Sequence, residues 1–116
     1  MRVEQVLIPW LGPTLNNIWA GVHWSKRKKI ADEGHTACLV ARNIPKFTGA
    51  VHLEFQPMTK TRRLDCTNYA VSIKCIEDAL VRMGVIRQDG PDDVLSITIH
   101  AAKKAKQSAM LVTIRE

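Results

Sequence analysis

The chain has 116 residues, 46% of them hydrophobic, which is enough for one modest core in a single domain over residues 1–116 and argues against disorder. No apolar run reaches the length of a membrane span, the cysteines Cys38, Cys66 and Cys75 are scattered without metal-binding spacing, and residues 1–5 lack the form of a signal peptide. A cytoplasmic protein in a reducing compartment is therefore expected. The formal charge is +6, and residues 1–64 hold all of it, with 10 Lys and Arg against 4 Asp and Glu; residues 65–116 hold 7 of each. A basic half beside the acids between Asp65 and Asp93 suits a polyanion handled with a metal, while a solvated basic face is the plainer explanation.

Residues 3–9 read as a short apolar strand, stopped by Pro9-Trp10-Leu11-Gly12-Pro13. Residues 14–24 are loop-like, with Asn16-Asn17 and the tryptophans Trp19 and Trp24. Ser25 can cap a helix over residues 25–42, where Lys26, Arg27, Lys28 and Lys29 in the first turns oppose the helix dipole. Gly34 is expected to weaken or break that helix. Residues 51–56 alternate, with Val51, Leu53 and Phe55 on one face and His52, Glu54 and Gln56 on the other, as in a half-buried strand. Residues 57–64 read as a basic loop.

A second helix is expected over residues 66–83, with Asp65 as its cap and Gly84 as its stop. Tyr69, Ile73, Ile76, Leu80 and Met83 form its apolar stripe, and Lys74 and Asp78 lie one turn apart on another face. Residues 94–101 and 109–115 read as strands joined by a basic turn at Lys103-Lys104-Ala105-Lys106. The economical arrangement is an α+β fold, a small mixed sheet with two helices packed on one face.

The chemistry gathers between Arg62 and Asp89. Arg62, Arg63, Asp65 and Asn68 stand at the mouth of the second helix, Lys74 lies inside it, and Asp89 follows its end. Basic residues can hold a phosphate backbone, and carboxylates can hold a divalent metal on it. Each has a plainer role too. Asp65 can simply cap, Asp89, Asp92 and Asp93 can be turn formers, and Lys74 can pair with Asp78. Glu54 can be an exposed strand residue or a replacement ligand. Trp10, Trp19 and Trp24 read as core or dimer contacts, and His23 and His35 as structural or surface residues.

Taken together, these pieces resemble the RusA family of Holliday-junction resolvases, in its phage and prophage branch, over nearly the whole chain. Leu7-Ile8-Pro9-Trp10 with Asn16-Asn17 is similar to the family's opening strand and Asn-rich loop, and residues 26–34 to its basic first helix, ending in Glu33-Gly34. The family's core motif is D-x-D-N, a lysine in the same helix, D-x-L, a glycine and a pair of acids. Here it reads Asp65-Cys66-Thr67-Asn68, Lys74, Asp78-Ala79-Leu80, Gly84 and Gln88-Asp89. Thr67 and Gln88 each stand where the family has an acid. A second registration, with Asn68 and Ala70 at the acid positions, leaves only Asp89.

The resemblance implies a RusA-like fold, a homodimer, and Mg²⁺-dependent endonucleolytic resolution of four-way DNA junctions in recombination and repair, with Mn²⁺ as an alternative ion. It implies metal binding by Asp65 and Asp89, with Lys74 stabilising charge at the scissile phosphate. Lys26, Arg27, Lys28, Lys29, Lys60, Arg62, Arg63 and Asn68 would contact DNA. Two competing expectations stand beside it. One is a junction-binding protein that cuts weakly or not at all because Thr67 lacks a carboxylate. The other is an interaction protein that lost its DNA role, against which the Arg and Lys clusters argue.

Overall fold

The computed structural model describes residues 1–14 and 24–116, Trp24 by its backbone only. The elements in chain order are β1 (Val3–Ile8), α1 (Trp24–Ala37), β2 (Val51–Thr59), α2 (Ala70–Arg82), β3 (Val94–Ile99), β4 (Lys103–Lys104) and β5 (Ala109–Arg115). Turns of 3-10 helix extend α1 over Cys38–Ala41 and precede α2 over Cys66–Tyr69. The strands form one mixed sheet in the order β1-β5-β2-β3, with β4 also on β2. β5 runs antiparallel to β1 and β2, while β3 and β4 run parallel to β2. The α+β expectation holds, with two helices and a five-stranded mixed sheet among the described residues.

One face of the sheet is covered. Val51, Leu53 and Phe55 from β2 join Val112 and Ile114 from β5, and Ile73, Ile76 and Leu80 of α2 are buried in the same cluster. The expected stripe is therefore the buried face of α2, with Met83 only partly buried at its end. His52, Glu54 and Gln56 lie on the other, open face.

Several local features differ from expectation. β2 continues through Pro57 to Thr59, where the sequence suggests a loop. The carbonyls of Phe55 and Thr59 accept hydrogen bonds from His100 and Ala105, so odd-numbered residues of β2 turn their backbone toward β3 and β4. Pro57 points the same way, and it falls between Phe55, the last residue paired with β3, and Met58, the first paired with β4. Its missing N–H thus meets a gap in the ladder. Lys103 and Lys104 form a short strand rather than only a turn.

Gly34 breaks nothing, because α1 runs through it. A Cβ there would lie 2.9 Å from Trp10 Cη2 and 3.3 Å from Cys75 Cβ, so the glycine lets Trp10 and α2 approach α1 closely. The Asp65 side chain makes no capping hydrogen bond, and only its carbonyl accepts the Asn68 N–H, at 2.9 Å. α2 does end at Gly84, whose φ is 77°. The Gly84 N–H reaches Val81 O at 3.0 Å and the Val85 N–H reaches Leu80 O at 2.9 Å, the paired bonds of a Schellman stop.

Among the described residues no helix is long and apolar enough to cross a membrane. The cysteines are free, and burial pushes the Cys38 thiol up to about 12, with Cys75 nearby adding to the rise, so Cys38 stays a protonated core residue.

Candidate functional site

The loop between β2 and α2 is pinned residue by residue. Lys104 Nζ donates to Lys60 O at 3.1 Å and to Thr61 O at 2.6 Å. Arg63 Nη1 donates to Ala102 O at 3.2 Å, and the Leu64 N–H donates to the Tyr69 hydroxyl at 3.1 Å. Cys66 Sγ lies 3.6 Å from Ile99 O. Asp65 stands exposed between two anchored neighbours, and with Arg63, Leu64, Cys66, Ala101 and Ala102 it lines a hollow of about 350 Å³.

A separate acidic group forms along α2. Residues three and four apart share a helix face, so Lys74 meets Glu77 and Asp78. Lys74 Nζ lies 3.5 Å from Glu77 Oε1 and 3.1 Å from Asp78 Oδ1. The chain then turns at Gly84 and brings Asp89 back, its Oδ2 3.1 Å from the same ammonium. The returning loop is held by Arg87, whose Nε donates to Asp93 Oδ1 at 2.6 Å and whose Nη1 donates to Thr48 O at 3.1 Å. Asp93 is thus a structural partner.

Carboxylate oxygens of Glu77, Asp78 and Asp89 lie within 4.8 Å of one another, close enough to hold a metal ion together. Hydrogen bonds donated to Asp78 and then to Asp89 hold the Lys74 ammonium well above the ordinary lysine range, so it is charged. Glu77 is 6% exposed, and burial pushes its carboxyl above the ordinary glutamate value despite the pull of Lys74. Such a carboxylate gains from a cation. Three acids against one ammonium leave the group formally negative, and oxygen ligands of this kind suit a hard divalent cation.

Of the residues expected at the site, Lys74 and Asp89 come together. Asp65 is outside the acidic group, at the start of the 3-10 turn before α2. Thr67 is exposed in that turn. Glu54 lies on the open face and is engaged there, accepting hydrogen bonds from Arg115 Nε and from His100 Nε2, the latter at 3.1 Å. Those contacts, Arg115 first, hold its carboxyl below the ordinary range.

Lys26, Arg27, Lys28 and Lys29 are exposed on α1. The Lys28 ammonium pairs with Asp32 at 2.8 Å, and the groove lined by Lys28 and Lys29 also contains Asp32 and Glu33. That surface is mixed in sign. Lys60, Arg62 and Arg63 are exposed in the loop after β2. Asn16, Asn17, Trp19 and His23 lie outside the described residues. His35 is half-buried, with Nδ1 lacking a hydrogen-bond partner among the described residues.

Sequence reasoning missed Glu77. The signal was present, because Glu77 is four residues after Ile73 and three before Leu80, on the apolar stripe itself. A lone carboxylate on a buried helix face needs a partner. Comparison with protein-family models and with curated proteins finds no match for this chain.

Proposed function

We propose that the chain is a metal-dependent endonuclease acting on branched DNA, with the four-way junction as its substrate. One observation carries this reading: three carboxylates from α2 and the following loop converge within 4.8 Å, in a chain whose basic excess lies wholly in its first half. Glu77, Asp78 and Asp89 would hold a divalent ion, Mg²⁺ or Mn²⁺. When bound, that ion supplies Lewis acidity and an activated water for phosphodiester hydrolysis. Asp89 anchors the returning loop to α2 through Lys74. Lys74 supplies positive charge where the scissile phosphate would lie. Lys60, Arg62 and Arg63 hold backbone phosphates and give affinity without reading sequence.

Asp65 belongs to the reading as an exposed carboxylate free of capping duty, beside the phosphate-holding arginines. Paired nicks in a two-fold symmetric junction call for a homodimer acting in the cytoplasm.

The test is cleavage of a labelled four-way junction in Mg²⁺ or Mn²⁺. Wild type should nick it. Asp89→Asn and Glu77→Gln should each lower the rate at least about a hundredfold while junction binding stays within about twofold, because phosphate grip comes from other residues. Cleavage untouched by both substitutions would remove the acidic group from the mechanism.

A second reading has its own observation. Lys74 already neutralises part of the acidic group, and Thr67 offers no carboxylate, so a junction-binding protein with little cleavage also fits. In that case wild type should bind the junction and leave it uncut in either metal.

A further inference from the structure

Two basic clusters far apart in the sequence meet in the fold. Arg62 and Arg63 from the loop after β2, and Lys104 from β4, line one open hollow of about 560 Å³, with no other lining residue among the described residues. The pairing of β4 with Met58 and Thr59 brings them together. All three are exposed, and none makes an ion pair among the described residues, whereas Arg2, Lys28, Lys74, Arg87 and Arg115 each have an acid.

Like charges this close repel unless something anionic joins them. Here backbone contacts hold two of the three in place. Lys104 grips the carbonyls of Lys60 and Thr61, and Arg63 grips the carbonyl of Ala102, so the loop and β4 are tied in both directions. Among the described residues Arg62 makes no hydrogen bond of its own, so its guanidinium donors face no described partner. Lys104 spends two donors on carbonyls and keeps the third, together with its full charge. Two guanidinium forks and an ammonium around one opening match the oxygens of a phosphate group.

We infer that this hollow is a phosphate-binding seat formed by Arg62, Arg63 and Lys104. Arg63 also borders the smaller hollow that contains Asp65, so a group seated here lies beside that carboxylate. The phosphate chemistry follows from the cation set alone. The choice of a nucleic-acid strand as its source rests on the proposed function.

The experiment is binding, independent of cleavage. In the first arm, inorganic phosphate is titrated into the full chain while the Nε–H resonances of Arg62 and Arg63 are followed by NMR. Both should shift in a saturable way. In the second arm, affinity for a short DNA duplex is measured by fluorescence anisotropy across a salt series. Arg62→Gln and Lys104→Gln should each weaken binding about tenfold and lower the salt slope by about one, the signature of one lost phosphate contact. Lys46→Gln, an exposed cation elsewhere, should change neither.

Lys104→Gln also removes loop contacts, so Arg62→Gln is the deciding variant. Unshifted arginine signals together with an unchanged slope in Arg62→Gln overturn the seat. Equal losses in Lys46→Gln overturn it too, because the attraction is then diffuse. Phosphate shifts that DNA cannot compete away sustain the seat but assign it to a small phosphorylated ligand, against a nucleic-acid source.

Discussion

At the residue scale, the contact that decides most is Lys74 among Glu77, Asp78 and Asp89. The ammonium is the counter-charge of the acidic group, and a divalent ion would compete for the same oxygens. Lys74→Met should therefore destabilise the metal-free protein by about 1 kcal/mol, since exposed pairs contribute little each but three acids are left facing one another. Mg²⁺ should then raise the melting temperature of the variant more than that of wild type. Equal metal shifts in the two proteins would mean that ammonium and ion do not share a site.

Glu77 gives a second residue-scale expectation, in pH. Burial raises its folded-state pKa, so its protonated form favours the fold. That contribution is complete below the ordinary glutamate range and is lost as pH rises through the raised folded value. Glu77→Gln should remove this dependence. In metal-free buffer the variant should gain stability relative to wild type from about pH 4 upward. Denaturant melts at several pH values measure this, and a gap that stays constant with pH would contradict it. Asp89 and Lys74 were legible as site residues because they stand in a motif. Glu77 was not singled out, because only its place on the apolar stripe separates it in the sequence from an ordinary surface acid.

At the element scale, hydrophobic periodicity carried most of the fold. The alternation Val51, Leu53, Phe55 and the stripe Tyr69, Ile73, Ile76, Leu80 gave the covered sheet face and the buried helix face. What periodicity could not give were exceptions that depend on a neighbour. Pro57 continues β2 only because β3 has ended and β4 has not begun beside it. Gly34 stays helical because its cost in propensity is offset by the packing of Trp10 and Cys75 against it.

Two substitutions test this packing. Ile76→Ala, at a fully buried site, should cost about 2–5 kcal/mol in a denaturant melt. Gly34→Ala should cost about 1–3 kcal/mol although alanine is the better helix former, because its Cβ would sit 2.9 Å from Trp10 Cη2. Shortening Trp10 to Leu in the same chain should recover part of that loss, as expected for residues in direct contact. A Gly34→Ala variant more stable than wild type would show that the two helices have room to part.

At the scale of the whole molecule, the sheet order explains why charge collects where it does. β2 and β3 run parallel, so their carboxyl ends open at the same end of the sheet. There the chain places Lys60, Arg62 and Arg63 after β2, Lys103 and Lys104 after β3, and Asp65 ahead of α2. Ligand sites at the carboxyl ends of parallel strands are a general consequence of this topology. A chain of charge +6, with its excess in residues 1–64, should bind DNA mainly through phosphates.

Affinity should then fall steeply with salt, with a log–log slope of about −0.9 for each phosphate neutralised on duplex DNA. A four-way junction should bind more tightly than duplex of equal length, because the proposed homodimer would engage two arms at once. The two measurements separate two claims. A salt-independent affinity would remove the nucleic-acid reading altogether. A steep slope with equal affinity for junction and duplex would keep DNA as the partner and remove the junction.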